Sequence, residues 1–467
     1  MEISQFSRQQ SRDNLEQSWP IYRQLLKSLS QLIHIPSDIL NSYIRTLILL
    51  TLTNLLFPLT LLITLITYLC TSILTFIQRK SSISTANPNS KRILISPGRM
   101  TSALQLSRAL SQAGHRIVLI DESINWLTGH RWSNSVETFY VLPSAFDQPD
   151  DYLTILTNIV RREKIDLFIP IDHSSYNSKL DGQIKSSLAK YNCSVFYEEN
   201  FLENQYKFIE KARSFNLPVA QTFLFTSRQD LFDFNFNSES SSYLCRSLQT
   251  NYSVNLPQLT RSETIETINK LIVNEQSPLV LQENLHGQKY STYGVCRNGQ
   301  LRLFACIQSN FKHIEHRDIF EWCCEYVRQL NLTGQFSIDF IVNQQDGKVY
   351  AIDCNSSGLS ALTLFYNHPN LADVYVSDEI PPVVIRPLST ARVIYWLPNE
   401  LWMIIRNVRS MRHSLMFAGK EALWSSIDPL PFLFHYSIHF LSLLLTNIFS
   451  KNIRFYQKID FAIGKLV

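Results

Sequence analysis

The stretch FSIDFIVNQQDGKVYAIDCN, residues 336–355, is the most informative part of the sequence because it predicts a β-hairpin with acidic residues on one face. We predict a three-residue loop over 345–347 with Gly347 in the left-handed region. Counting back from that loop places Asp339 opposite Asp353 on the neighbouring strand. Asn355 lies two residues beyond Asp353 and shares its face, since side chains alternate along a strand.

Two carboxylates that face each other across a sheet repel, so this arrangement requires a reason. A hard cation with oxygen ligands would supply one, and Mg²⁺ that bridges nucleotide phosphates fits. We therefore predict Asp339, Asp353 and Asn355 as metal ligands. A simply solvated face of the sheet explains the same residues, and the residues alone leave both interpretations open.

Residues 201–376 around the hairpin have the pattern of a mixed, largely antiparallel domain. Its apolar runs are 243–245, 279–282, 301–307, 336–342 and 349–354, and its helix candidates are 206–214, 264–272 and 318–330. Residues 91–200 instead alternate strand and helix, which predicts a parallel sheet. The carboxyl ends of such strands usually line a ligand crevice, and Arg99 and Asp172 follow two of them.

Composition excludes several classes of protein. A chain of 467 residues suggests two or three domains, and a net charge of +4 without a Lys/Arg block argues against nucleic acid as a partner. The eight cysteines form no CxxC pair, so we predict free thiols rather than a structural zinc site. The chain has only 12 glycines, and no glycine-rich phosphate loop occurs among them. Any bound nucleotide would therefore be held by a different kind of phosphate-binding site.

The N-terminal part predicts attachment to a membrane. Residues 1–45 form a polar tail, and the hydrophobic segment 46–78 carries no charge over 46–77, which is long enough to span a bilayer. A kinked span, a hairpin in one leaflet and a buried helix all remain open. The positive residues that follow favour catalytic domains on the cytoplasmic side. We predict a helical C-terminal region over 377–467, in which 431–449 is interfacial or buried.

The hairpin resembles the metal-binding signature of the ATP-grasp superfamily, in which one strand carries a carboxylate and the next an acid-x-Asn. Further pieces occur in the order of that family: YKF (206–208) at the start of a helix, YLCRS (243–247) on a strand, and VLQENLHG (280–287) at the position of its hinge strand. The resemblance implies an α/β, or α+β, ATP-grasp fold over 201–376 behind a Rossmann-like pre-ATP-grasp domain over 91–200.

Several strings also resemble the mycosporine-glycine synthase family, the ATP-grasp ligases of mycosporine-like amino acid pathways. They are WLTGHRWSN (126–134), FIEKARS (208–214), LTGQ (332–335), FYNHP (365–369), DPLPFL (428–433) and IDFAIGKLV (459–467). The resemblance covers nearly the whole chain. It implies that ATP phosphorylates an enol oxygen of the cyclohexenone 4-deoxygadusol, and that an amino acid, glycine in the family, then displaces phosphate.

The resemblance also implies roles for individual residues. Lys207 and Arg246 hold the ATP phosphates, where the reaction needs positive charge. The nucleotide-binding positions of the hinge segment are Gln282, Glu283, Leu285 and Lys289. His130 and Arg131 are candidate substrate contacts, and a structural contact between Arg131 and a carbonyl is an equally good interpretation.

Four functional positions depart from the family pattern. Arg246 replaces a lysine, Lys289 a ribose-binding glutamate, Asp353 a glutamate, and Ser357 an anion-binding arginine. Arginine is not a point charge like lysine, and Mg²⁺ tolerates little change in ligand geometry. Two further hypotheses therefore stay open: a degenerate ATP-grasp protein that acts as a membrane-attached scaffold, and a ligase that activates a carboxylate through an acyl phosphate.

Overall fold

The computed structural model describes most of the chain from residue 90 onward. The described residues are 51, 58, 61–62, 65–66, 69, 90–172, 178–197, 205–236, 242–248, 253–258, 260–308, 312–354, 358–379, 381, 383–406, 419–440, 442, 459–460 and 465–466. The tail 1–45, most of the segment 46–78, and Asn355 and Ser357 lie outside them. Among the described residues, no helix is long and apolar enough to cross a membrane.

The first domain is built on a five-stranded parallel sheet, as its alternating pattern predicts. The strand order is β3-β2-β1-β4-β5, and every neighbouring pair is parallel. Its strands are β1 (Arg92–Ser96), β2 (Arg116–Glu122), β3 (Thr138–Leu142), β4 (Leu167–Pro170) and β5 (Ser194–Val195). Its helices are α1 (Thr101–Gln112), α2 (Pro149–Glu163) and α3 (Ser178–Ala189). The central strands read as continuous apolar runs because helices cover both faces of the sheet.

A second sheet of four antiparallel strands follows, in the order β6-β9-β7-β8. Its elements are α4 (Gln205–Ser214), β6 (Thr222–Phe225), α5 (Arg228–Asp233), β7 (Tyr243–Ser247), β8 (Ser253–Leu256), α6 (Arg261–Lys270) and β9 (Leu279–Glu283). Helix α6 begins with a capping box in which Thr260 and Glu263 bond to each other's backbone nitrogens. That cap fixes the helix start three residues before the predicted Thr264.

A third sheet contains the diagnostic hairpin and is also antiparallel. The strand order is β12-β11-β10-β14-β15, with β13 paired to β10. Its elements are β10 (Gly287–Arg297), β11 (Gln300–Ile307), β12 (His313–Ile314), α7 (Arg317–Leu330), β13 (Gly334–Phe336), β14 (Ile338–Asn343) and β15 (Val349–Cys354), followed by α8 (Leu371–Val376). Helix α7 packs Trp322 and Tyr326 against Phe208 of α4 and Phe340 of β14.

The C-terminal region packs against the first domain. Its described elements are β16 (Ile394–Tyr395), α9 (Leu397–Arg406), β17 (Lys420–Glu421), α10 (Leu430–Phe434), a π turn over His435–His439, β18 (Ile459–Asp460) and β19 (Lys465–Leu466). The predicted helical region therefore also contains short strands. Gly129 lies so close to the α10 segment that a Cβ there would come within 2.4 Å of the His435 nitrogen. This glycine allows a 3₁₀ turn of the first domain to touch the C-terminal helix backbone.

The parallel-sheet domain, the six-stranded sheet and the C-terminal region share one apolar core. It includes Ile93 of β1, Tyr293 of β10, Trp396 beside α9 and Tyr436 of the π turn, each at most 5% exposed. The described cysteines are all free thiols, which agrees with the composition. The first domain and the C-terminal region are thus held by burial of apolar surface, the dominant favourable contribution to folding.

Candidate functional site

Most of the predicted site residues lie on the two antiparallel sheets and on the segment that joins them, and we call the place where Arg246 meets Asp353 the cleft. Strand β9 ends at Glu283 in the four-stranded sheet, and β10 begins at Gly287 in the six-stranded sheet. Residues 284–286 therefore connect the two sheets, as expected for a hinge. Arg246 of β7 reaches across and donates from Nη1 to Asp353 Oδ2 of β15 at 3.2 Å. Side chains from both sheets thus meet at one point.

Asp339 pairs directly with Asp353, as predicted, but the loop length and the strand pairing that produce this register differ from the prediction. The loop has four residues, 344–347, since Asn343 N donates to Lys348 O and Gly347 N donates to Asn343 O. The predicted three-residue loop was wrong, although Gly347 does adopt the left-handed conformation, with φ 68°. An irregularity between Asp339 and Phe340 shifts the register back by one residue.

The extra residue of that bulge is Ile352, and its carbonyl connects the two sheets. Gln282 Nε2 of β9 donates to Ile352 O at 2.7 Å, and Gln205 Nε2 of α4 donates to it at 3.0 Å. A bulge frees a carbonyl from the ladder, and these two amides satisfy it. Gln282 was predicted to bind nucleotide, and in this structure its side-chain amide instead bonds to the backbone next to Asp353.

The opposed carboxylates carry the electrostatic signature of a strained acidic pair. Burial is the largest of the effects that together raise the pKa of Asp353 to about 6; the charge of Arg246 opposes the rise and the charge of Asp339 adds to it. Burial also raises the pKa of Asp339, while a hydrogen bond from Ser291 and the charges of Lys289 and Arg246 act in the opposite direction. A divalent cation between the two would relieve both their repulsion and their desolvation.

Two positive side chains, Arg246 and Lys289, act on this acidic pair, and the third predicted cation, Lys207, lies on α4. Lys289 lies on β10, opposite Ile341 of β14, and its charge acts on Asp339. Lys207 is exposed on the first turn of α4, two residues from Gln205 and its bond to the Ile352 carbonyl. Together with Arg246, these cations could bind several phosphate oxygens while the acidic pair holds a cation.

The hinge backbone is largely occupied by its own hydrogen bonds. Glu283 N donates to Gln221 O at 2.8 Å, and Leu285 N donates to Glu283 O at 3.2 Å. The bond of Leu285 is the longer of the two and closes a turn of only three residues, so it is the easier one to exchange for a ligand acceptor. Glu283 pairs with Tyr243 of β7 inside the ladder, which keeps its backbone within the sheet.

The donor set suits Mg²⁺ without forming a complete cage. Asp339 and Asp353 offer hard oxygen ligands from adjacent strands, and the third predicted ligand, Asn355, lies outside the described residues. The described part of the chain holds no group of three or more His, Cys, Asp or Glu arranged for a metal. Two carboxylates plus substrate phosphates are a usual ligand set for Mg²⁺, which keeps several waters and seldom needs an all-protein cage.

Ser291 and Gln205 are site residues that the sequence reasoning missed. The Ser291 hydroxyl donates to Asp339 Oδ1, and Gln205 supports the bulge beside Asp353. A polar residue on the strand that neighbours an acidic hairpin was the available signal for Ser291. The position of Gln205 depends on how α4 docks against β15, which no local pattern gives.

His130 and Arg131 make structural contacts. His130 is fully buried, its Nδ1 lies 2.7 Å from the Gly98 carbonyl, and its ring stacks on His435 at 4.7 Å. Arg131 donates to the Trp126 carbonyl at 2.7 Å, which is the structural alternative that the sequence left open. In this conformation neither side chain lies in the cleft with the acidic pair.

Burial of His130 and His435 makes stability depend on pH. Burial lowers the pKa of His130 to about 3, with Arg108 and His439 acting in the same direction, and burial lowers the pKa of His435 well below its ordinary value. Unfolding restores a pKa near 6.5, so the unfolded chain binds more protons below that pH. We expect the free energy of unfolding to fall by about 1.4 kcal/mol per pH unit for each histidine as pH drops below about 6.5.

Denaturant titrations between pH 7 and pH 5 measure this slope. His435→Phe keeps a stacked ring without a titrating group, so its slope should be shallower than that of the unmodified chain. His286→Asn is the matched control, because His286 is exposed on the hinge, and its slope should equal that of the unmodified chain. Equal slopes for His435→Phe and the unmodified chain would contradict the prediction.

Comparisons with known proteins give only distant similarities. No protein-family model matches the chain. No curated protein matches it either.

Several solved structures align with part of the chain. N5-carboxyaminoimidazole synthetase from Staphylococcus aureus is 13% identical, covers 62% of this chain and 78% of its own, and has a TM-score of 0.46. L-amino acid ligase from Bacillus licheniformis is 12% identical, with 63% and 71% covered and a TM-score of 0.44. Biotin carboxylase from Campylobacter jejuni, in complex with an ATP analogue, is 9% identical, with 62% and 72% covered and a TM-score of 0.48. By their names these proteins are enzymes, and scores this low do not identify the family of this chain.

Proposed function

We propose that this chain is an ATP-grasp ligase that uses ATP and Mg²⁺ to join an amino acid to the cyclohexenone 4-deoxygadusol. One observation carries the proposal: Asp339 and Asp353 face each other on a hairpin, and Arg246 reaches them from the opposite sheet. Opposed carboxylates lower stability, so a chain that keeps them beside Arg246 and Lys289 suits a metal–phosphate complex. The motif resemblance supplies the substrates.

The proposed reaction has two steps in one cleft. The γ-phosphoryl group of ATP moves to the enol oxygen of 4-deoxygadusol and leaves ADP. The amine nitrogen then bonds to the ring carbon and loses a proton as phosphate departs, which leaves an enaminone. In this proposal Lys207 and Arg246 neutralise phosphate charge, and Asp339, Asp353 and Asn355 hold Mg²⁺. Mg²⁺ held by these residues would supply positive charge that neutralises the charge developing on the transferred phosphoryl group.

Membrane attachment through residues 46–77 is part of the proposal, with the catalytic domains on the cytoplasmic side. Leu62, Leu65, Ile66 and Leu69 are described in helical conformation, and their side chains are 47% to 60% exposed. Their spacing places them on one helix face that the rest of the described chain does not cover. A large apolar face left open to solvent is typical of contact with lipid or another apolar surface.

Phosphate release by the full-length chain in detergent tests the function. We expect release that requires ATP, Mg²⁺, 4-deoxygadusol and glycine together, with negligible release when any one is omitted. Mass spectrometry of the product should give the sum of ring and amino acid minus one water. Release that requires a carboxylic acid other than the amino acid would favour the acyl-phosphate reaction.

The scaffold hypothesis has its own supporting observation. Arg246 forms an ion pair with Asp353. The side chain proposed to bind phosphate is therefore bonded to a carboxylate proposed to bind the metal. In a working enzyme, nucleotide and metal must separate this pair. In a degenerate protein, the pair simply closes the site. Calorimetry with ATP and Mg²⁺ separates the two, since a scaffold with a closed site shows neither binding heat nor phosphate release.

A further inference from the structure

The first domain and the C-terminal region together expose several large apolar side chains. Trp126 and Trp132 lie at the ends of two 3₁₀ turns that follow β2, and they are 53% and 47% exposed. Phe434 of α10 stacks on Trp132, with the ring centroids 5.0 Å apart, and Ile438 of the π turn is 36% exposed. Both tryptophans belong to the string WLTGHRWSN (126–134), for which the ligase reaction gives no role.

Arg131 connects the two tryptophans and places a positive charge beside them. Its Nη1 donates to the Trp126 carbonyl at 2.7 Å, and its Cζ lies 5.6 Å from the centroid of the Trp132 ring. A guanidinium group over an indole ring is held there by attraction to the ring face. We call Trp126, Arg131, Trp132, Phe434 and Ile438 the aromatic patch.

The C-terminal part of the patch lies on a helix whose outer face is apolar. Residues 429–442 contain no Lys, Arg, Asp or Glu, and the two histidines among them, His435 and His439, are fully buried. The outward positions are instead Phe434, which is half-buried, and Ile438, which is exposed. A helix that faces water normally carries polar or charged side chains on its outer face. This helix is therefore suited to an apolar environment on its outer side.

The composition of the patch matches the boundary between water and lipid. Tryptophan rings concentrate at the level of the lipid headgroups, where the indole ring is apolar and its N–H group remains polar. A nearby arginine can bind the phosphate groups of the same headgroups. A second copy of the chain docked through this patch would present another cationic face to Arg131, whereas lipid phosphates complement its charge.

The chain brings the patch within reach of a bilayer if segment 46–77 is inserted. Residues 78–89 alone separate that segment from Ser90, and an extended linker of this length reaches about 40 Å. Ser90 bonds to the Gly114 carbonyl at the amino end of the parallel sheet, and the patch follows the carboxyl end of β2. A strand of seven residues, such as β2, spans only about 23 Å. The linker is therefore long enough for the segment and the patch to meet one bilayer.

We propose that the aromatic patch docks on the headgroup region of a lipid bilayer, with Trp126 and Trp132 among the headgroups and Arg131 on their phosphates. The outer face of α10 and the π turn lies along the same surface. The inference rests on the proposed membrane attachment through 46–77 and goes beyond it. It gives the folded domains a fixed orientation on the membrane, which a flexible linker alone does not.

Quenching of tryptophan fluorescence by brominated lipid tests the inference. The full-length chain is reconstituted into vesicles of phosphatidylcholine and phosphatidylglycerol, with or without bromine near the headgroup end of the acyl chains. The quenched amplitude is the fluorescence lost to bromine. The double variant Trp126→Phe, Trp132→Phe keeps the patch apolar and removes both indoles. Its amplitude should be at least about twofold smaller than that of the unmodified chain, because the two indoles lie at headgroup level.

Trp322→Phe is the matched control, since it removes a tryptophan of α7 that is 4% exposed. Its quenched amplitude should equal that of the unmodified chain. The inference is overturned if the double variant and the unmodified chain have equal amplitudes. Equal amplitudes, with Trp126 and Trp132 shielded from acrylamide in water, would place a second copy or the chain's own segment 46–77 on the patch instead of lipid.

Flotation of the vesicles separates this inference from the proposal on which it rests. A chain that does not float with the vesicles overturns both the attachment through 46–77 and the docking of the patch. A chain that floats and shows equal amplitudes overturns the docking alone. Neither measurement depends on phosphate release, so an inactive ligase site would leave the docking unaffected.

Discussion

Replacing Asp339 with asparagine reduces ATP-dependent phosphate release by at least about 100-fold, if the opposed carboxylates hold the metal. The substitution removes one of two negative charges that face each other across β14 and β15. Because like charges in this position destabilise a sheet, the change should leave the fold as stable as before or more so. A loss of activity therefore reports on the site and not on unfolding. Initial rates of phosphate release at saturating ATP, together with calorimetric titration of Mg²⁺–ATP, measure the effect.

Asp346→Asn is the control for this prediction. Asp346 is in the loop of the same hairpin, is exposed, and bonds to Lys348 N and the Tyr350 hydroxyl rather than facing the cleft. We expect it to retain activity within about twofold, as for a surface change away from the site. Equal rates for Asp339→Asn and Asp346→Asn would refute the metal role of the pair.

Replacing Arg108 with methionine lowers the free energy of unfolding by about 3–5 kcal/mol, because it leaves a buried carboxylate without its counter-ion. Arg108 Nε donates to Asp428 Oδ2 at 2.8 Å, and Nη2 donates to the carbonyls of Leu423 and Asp428 at 2.9 Å each. Both side chains are less than a tenth exposed. The pair joins α1 to the segment before α10, so its loss loosens the C-terminal region from the first domain.

Asp428 keeps other hydrogen-bond donors in the Arg108→Met variant, and these limit the loss of unfolding free energy. Ser133 Oγ donates to it at 2.7 Å and Asn134 N at 2.9 Å, so its negative charge remains partly solvated by the protein. Denaturant titration measures the loss of stability. The matched control is Arg116→Met, which breaks an exposed pair with Glu137 and should cost no more than about 1 kcal/mol. Similar losses for the two variants would mean that burial of the Arg108 pair contributes nothing.

Local pattern predicted the correct pairing in the acidic hairpin, but only because two differences of one residue each cancel. The count from a three-residue loop gave the observed pairing of Asp339 with Asp353, yet the loop has four residues and the bulge at Ile352 cancels the extra one. Hairpin composition gives a turn and a periodicity, whereas a bulge depends on partners from other elements. Here those partners are Gln205 and Gln282, which hold the Ile352 carbonyl.

Local sequence was enough to predict the parallel sheet, the antiparallel sheets, the left-handed glycine and the acidic face, because each follows from side-chain period and turn chemistry within a few residues. Long-range packing, in contrast, brings Arg246 to Asp353, places Arg99 in a pocket and stacks His130 on His435 in a core. Those contacts join residues up to about three hundred positions apart. They depend on which faces of the sheets and helices bury each other, and burial is non-directional, so no local pattern encodes them.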